Sequence, residues 1–104
     1  DFSGGFINRL LKDQGDFSAA EPLYLRVLEA RQRILGPEHP DTVMSLNNYG
    51  FLKETQKQIK EAEILYSKAV AGAENVLLPE HPERQRYEEN LARVRRKLAS
   101  LRAF

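Results

Sequence analysis

The only imidazoles in this sequence belong to His39 and His81, and each stands in the tetrapeptide Pro-Glu-His-Pro, 42 residues apart. Histidine serves as metal ligand and as general base, but metal-binding histidines usually cluster within a few residues beside carboxylate or thiolate partners. These two occupy equivalent points of two separate loops, and we read them as loop residues that pack on or cap the helix that follows. The chain contains no Cys, which excludes disulfides, thiolate metal sites and thiol nucleophiles and fits a reducing, cytoplasmic setting. Its Ser, Thr and carboxylate residues form neither a nucleophile elbow nor a paired-acid arrangement. Gly4-Gly5 lacks the Lys and the preceding strand of a phosphate-binding loop. No catalytic residue, cofactor or metal is expected. Phe17, Tyr24, Tyr49, Tyr66 and Tyr87 have the ring chemistry for stacking a ligand, but they stand at helical spacing among Leu and Ala. They are expected to be core, with hydroxyls emerging at its edge.

The bulk properties narrow the function classes further. The chain has 104 residues, of which 41% are apolar and 30% charged. That is enough for one small domain burying roughly 65% of its unfolded surface, and too apolar for a disordered chain. No apolar run is long enough to span a bilayer, and the N-terminus carries no secretory pattern. The net charge of +1 removes the simplest case for nucleic-acid binding. It is unevenly spread: residues 83–104 hold seven Lys+Arg against three Asp+Glu, and residues 1–82 hold nine against twelve.

An internal repeat supplies the elements that must position these residues. At the offset of 42 set by the two Pro-Glu-His-Pro segments, Ala20-Glu21 meets Ala62-Glu63 and Leu23-Tyr24 meets Leu65-Tyr66. Leu10 meets Leu52, Gln14 meets Gln56, Leu35 meets Leu77, and Asn48 meets Asn90. Each unit reads as two helices, because apolar residues recur at three- and four-residue spacing rather than alternately. Gly15 can take the positive φ that ends a helix, Leu35-Gly36-Pro37 stops the next, and Pro40 and Pro82 suit first helical turns. The spacing predicts helices over about 4–14, 17–35, 40–56, 59–77 and 82–102, with no competing strand pattern.

A helix pair with Ala-x3-Tyr in its second helix, here Ala20…Tyr24 and Ala62…Tyr66, resembles the tetratricopeptide repeat (TPR) family. Phe17 and Ile59 stand at the family's aromatic position, and Gly50 and Ala92 at the small-residue position of the first helix. The 42-residue period, with Leu-Gly-Pro-Glu-His-Pro-Asp-Thr and Ser-Leu-Asn-Asn-Tyr-Gly, resembles the longer subtype found in kinesin light chains. Gly4-Gly5, Asn8 in place of a small residue, Leu78 in place of the loop Gly, and the lack of Trp depart from the pattern. The resemblance implies an all-α, right-handed α-α superhelix. Two helix-hairpin repeats, about 1–39 and 40–81, and a C-terminal capping helix over about 82–104 make a single domain.

It also implies a use. In such a superhelix the first helix of each pair lines a concave groove, which maps onto Phe2, Gly5, Arg9, Lys12 and Asp13. In the second unit the positions are Met44, Asn47, Asn48, Phe51 and Thr55, and in the third Arg86, Glu89, Asn90, Arg93 and Lys97. Asn offers both donor and acceptor to an extended peptide backbone, and the resemblance gives this role to Asn47. Asn48 and Asn90 suit either a groove contact or a hydrogen bond across the repeat junction. Arg86 and Asn90 have the spacing of a carboxylate-holding pair, but Met44 breaks that pattern in the second unit. The expected function is a non-catalytic interaction module or scaffold that binds a protein or peptide, with the basic third unit favouring acidic residues.

The last helix leaves an alternative open. Tyr87, Leu91, Val94, Leu98 and Leu101 form a narrow seam, with Phe104 one step on, among Arg84, Arg86, Arg93, Arg95, Arg96, Lys97 and Arg102. A terminal cap accounts for apolar seam and polar surround together. Self-association into a homo-oligomer through Leu98, Leu101 and Phe104 is the alternative. Nucleic acid is less favoured, because the basic residues do not alternate with stacking aromatics.

Overall fold

The ends of the helices follow from a few residues at each turn. The computed structural model describes residues 17–103, which form α1 (Phe17–Ile34), α2 (Pro40–Thr55), α3 (Ile59–Val76) and α4 (Pro82–Arg102). There is no strand among the described residues. The helix expected over 4–14 lies outside them, as do Arg9, Lys12 and the other groove positions of the first unit, and Phe104. After α1 the N–H groups of Leu35 and Gly36 both bond to the Arg31 carbonyl, and Gly36 turns the chain at φ 90°. The equivalent loop after α3 closes differently. Leu77 is extended at φ −127° and its N–H bonds to the Ala73 carbonyl. No residue there needs a positive φ, which is why Leu78 can stand where the first loop has Gly36.

Both loops then lead into the next helix in the same way. The imidazole Nδ1 of His39 accepts from the Asp41 N–H and that of His81 from the Glu83 N–H, each at 3.1 Å. Each histidine therefore caps a helix whose first residue is proline, as expected from the sequence, and satisfies one of the otherwise unpaired N–H groups of the first turn. Between α2 and α3, the Gln58 N–H bonds to the Lys53 carbonyl at 2.9 Å and the Lys57 N–H to the Glu54 carbonyl at 3.0 Å. This closure requires a left-handed residue, and Lys57 provides it at φ 66°.

Each helix packs on its neighbours in the chain. Ala20, Tyr24 and Leu52 are buried together between α1 and α2. Ala62, Tyr66, Leu91 and Val94 are buried between α3 and α4. Leu28, Val43, Leu46, Ala69, Ala73 and Tyr87 link all four helices. The two Ala-x3-Tyr pairs are core, as their spacing predicts. The small residue at position 50 has a direct cause: a Cβ there would lie 2.8 Å from Cδ1 and Cε1 of Tyr66, whose ring is fully buried. The terminal seam divides. Tyr87, Leu91 and Val94 are buried, Leu98 is half-buried, and Leu101 is 64% exposed. The architecture is an all-α helical repeat solenoid, and no described helix is long and apolar enough to cross a membrane.

Candidate functional site

Two stripes of side chains, one on α2 and one on α4, hold most of the residues singled out from the sequence. On α2 they are Met44, Asn48, Phe51 and Thr55, spaced i, i+4, i+7 and i+11, so that they share one helix face. All four are partly exposed, Phe51 at 39%. Their counterparts 42 residues on, Arg86, Asn90, Arg93 and Lys97, form the same stripe on α4 and are likewise half-buried or exposed. One stripe is neutral and the other cationic.

What ties the two helices together on this side is polar. Asn47 is buried, and its Oδ1 accepts from Asn90 Nδ2 at 2.9 Å. Asn90 therefore makes a bond across the repeat junction, and Asn47 is its partner there. Nearer the end of α2 stands Glu54, whose carboxylate accepts from Arg93 Nε and Nη2 at 2.8 and 2.7 Å, forming a two-pronged pair. Lys97 Nζ and the Tyr66 hydroxyl add two further bonds, each of 2.8 Å. Burial alone would push the Glu54 carboxyl up, but the bonds from Arg93, Lys97 and Tyr66 outweigh it and hold the group down at about 2, against an ordinary value of 4.5. Burial, and the negative charge of Glu54, push the Tyr66 phenol the other way, well above its usual range.

A second polar layer repeats with the chain. Glu21 accepts from Lys53 Nζ at 2.9 Å, from Gln56 at 3.2 Å and from the Tyr49 hydroxyl at 3.3 Å. One repeat on, Glu63 pairs with Arg95 at 3.5 Å. In each case a carboxylate of a second helix meets a cation of the following first helix. Arg86 lies beside Glu83 at 2.7 Å and over the Tyr87 ring at 5.7 Å. It is thus engaged locally rather than forming a clamp with Asn90.

Glu54 is the residue that sequence reasoning missed. It stands between two groove positions, and at the 42-residue offset it meets Arg96, so the repeat gives no sign of it. The only signal was an acid adjoining Thr55 with a basic pair, Arg93 and Lys97, one repeat away. The Glu21–Lys53 and Glu63–Arg95 pairs were more legible, because acid and base recur at the same offset.

The groups this face presents are amides, one exposed ring and a cation cluster partly neutralised from within. Among the described residues no group of three or more His, Cys, Asp or Glu is placed to hold a metal ion. None of the curated proteins matches the chain. The family model for the tetratricopeptide repeat matches residues 9–75. That match spans more than half of the chain and covers the paired helices whose Ala, Gly and Tyr residues interlock, so this chain belongs to the tetratricopeptide repeat family, whose members generally mediate protein–protein interaction.

Proposed function

We propose that the α2–α4 side of the solenoid is a groove for an extended segment of a partner protein, and that the chain works as a non-catalytic scaffold element of the kinesin-light-chain-like subtype. The observation that carries this reading is the register of the two stripes. Phe51 offers an exposed apolar contact, Asn48 a half-exposed amide able to bond a peptide backbone, and Arg93 and Lys97 a cationic edge. Arg93 and Lys97 together carry one positive charge more than Glu54 neutralises, which favours acidic over basic partners. The period of 42, and a cysteine-free composition suited to the cytoplasm, support the same reading. A screen of immobilised acidic and C-terminal peptides against the purified chain tests it. Binders should lose at least roughly fivefold in affinity in Asn48→Ala and Phe51→Ala together, as removal of one apolar contact and one neutral hydrogen bond predicts. Unchanged binding would remove the groove.

A second reading has one observation in its favour. Leu101 is 64% exposed at the end of α4, so the chain can instead act as a self-associating segment through Leu98, Leu101 and Phe104. Light scattering over a concentration series distinguishes the two. A dimer dissolved by Leu101→Glu supports self-association, and a monomer at all concentrations supports the groove alone.

A further inference from the structure

Where α2 ends, the α2–α3 turn and the last turns of α4 surround an open depression of about 620 Å³. Its composition is mixed in a particular way. Ile59 and Leu101 contribute apolar side chains to its lining, Thr55 and Ser100 contribute hydroxyls, and Lys57 and Lys97 stand as cations beside Glu54. Glu54 is already matched by Arg93 and Lys97, which together outweigh its charge. The Lys57 ammonium has no carboxylate within ion-pair distance among the described residues. The depression is therefore a cationic site with apolar side chains in its lining.

The backbone adds an independent observation. Lys57 is the one non-glycine residue among those described with a positive φ, at 66°. The equivalent position one repeat earlier is Gly15. Glycine adopts this conformation without the Cβ clash that other residues meet. The turn alone would be better served by glycine, yet a lysine that lines the depression stands there against the local backbone preference. Non-glycine residues held in sparsely populated backbone regions concentrate at binding sites.

We infer that this depression receives an acidic–aliphatic element of a bound polypeptide. A carboxylate side chain lies against Lys57 and Lys97, and a neighbouring aliphatic side chain rests on Ile59 and Leu101. Thr55 and Lys97 are also the last members of the two stripes, so the site is the C-terminal end of the groove, and the inference rests on the polypeptide-binding reading of that face.

The variant Lys57→Gly separates binding from folding, because it removes the ammonium while relaxing the turn. The probes are two blocked hexapeptides, acetyl-Ser-Gly-Glu-Leu-Gly-Ser-amide and the same peptide with Gln for Glu, titrated into the ¹⁵N-labelled chain and followed by amide chemical shifts. The Glu peptide should give saturable shifts at Lys57, Ile59, Ser100 and Leu101, and the Gln peptide should bind at least roughly threefold more weakly. Lys57→Gly should weaken the Glu peptide by roughly threefold to fivefold, the range of an exposed ion pair, while its unfolding temperature rises. Leu101→Ala should weaken both peptides alike. Equal binding of the two peptides, an unaffected Lys57→Gly, or no shifts at these amides would overturn the site. Shifts confined to Asn48, Phe51 and Asn90 would remove the depression and leave the groove. Shifts confined to the depression would uphold it and count against the rest of the groove. If its amides instead shift with protein concentration alone, the occupant is a second copy of the chain and the inference fails.

Discussion

Four hydrogen bonds converge on the carboxylate of Glu54, from Arg93 twice, Lys97 and Tyr66, at 2.7 to 2.8 Å. The pair is asymmetric in its surroundings. The Glu54 side chain is 7% exposed, whereas Arg93 and Lys97 keep 36% and 48% of theirs in solvent. Its partners hold the Glu54 carboxyl at about 2 in the folded chain, and unfolding releases it to its ordinary 4.5. The folded state thus binds its proton less readily than the unfolded state. The stabilisation is fully present above pH 4.5 and is lost as the pH falls toward about 2. Glu54→Gln keeps an acceptor for Tyr66 but gives up both ion pairs. Since the two cations can rehydrate, the expected loss at neutral pH is about 1–2 kcal/mol, short of the ~3–5 kcal/mol of a wholly buried pair. Thermal unfolding from pH 7 to pH 2 should show a clearly flatter pH dependence in this variant. Identical profiles for the two proteins would mean that Glu54 contributes nothing to holding α4 on α2.

At the scale of helices, the fold depends on how closely α2 and α3 approach. Gly50 faces the Tyr66 ring, and an added Cβ would sit 2.8 Å from two of its carbons. Tyr66 is held from behind by the packing of Ala62, Leu91 and Val94 and at its hydroxyl by Glu54, so it has little room to withdraw. Gly50→Ala gains up to about 1 kcal/mol in helix propensity but overpacks the crossing, which costs about 1–3 kcal/mol. We expect net destabilisation of about 1 kcal/mol, seen as a lower midpoint in urea. A rise in stability would show that the crossing is looser than the structure has it. The helix pairs were readable in the sequence because Ala-x3-Tyr, Gly50 and the prolines each act within one or two turns. The repeat also made His39 and His81 readable as caps, since two loops with one sequence solve one problem.

The molecule as a whole is a stack in which each helix relies on those beside it in the chain, as expected of repeat proteins. α4 covers Ala62, Tyr66 and part of Val70 and supplies both cations that meet Glu54. Deleting residues 82–104 would uncover this surface and leave the Glu54 carboxylate without Arg93 and Lys97. The truncated chain should lose more helical circular dichroism at 222 nm than the 21 residues of α4 account for, because α3 frays with it. A loss confined to those 21 residues, with an unchanged urea transition, would refute this dependence. The charge asymmetry also reads differently at this scale. The basic surplus of residues 83–104 is partly consumed inside the molecule, with Arg93 and Lys97 on Glu54, Arg95 on Glu63 and Arg84 against Glu74.

By itself the sequence determined the all-α repeat, the places where the four described helices begin and end to within a residue, the buried Ala-Tyr pairs and the capping histidines. These are legible because they depend on residues close together or on a period that brings equivalent residues into register. Only the tertiary structure decided which polar groups are spent within the fold. Glu54 meets Arg93 and Lys97, and Asn47 meets Asn90, across separations of 39 to 43 residues. Neither pairing follows from the repeat, since position 54 is matched one repeat on by Arg96 and position 47 by Glu89. A long-range polar contact depends on which side chains two helices bring within about 3 Å of each other, and for α2 and α4 that follows from how each packs on α3 rather than from any local pattern.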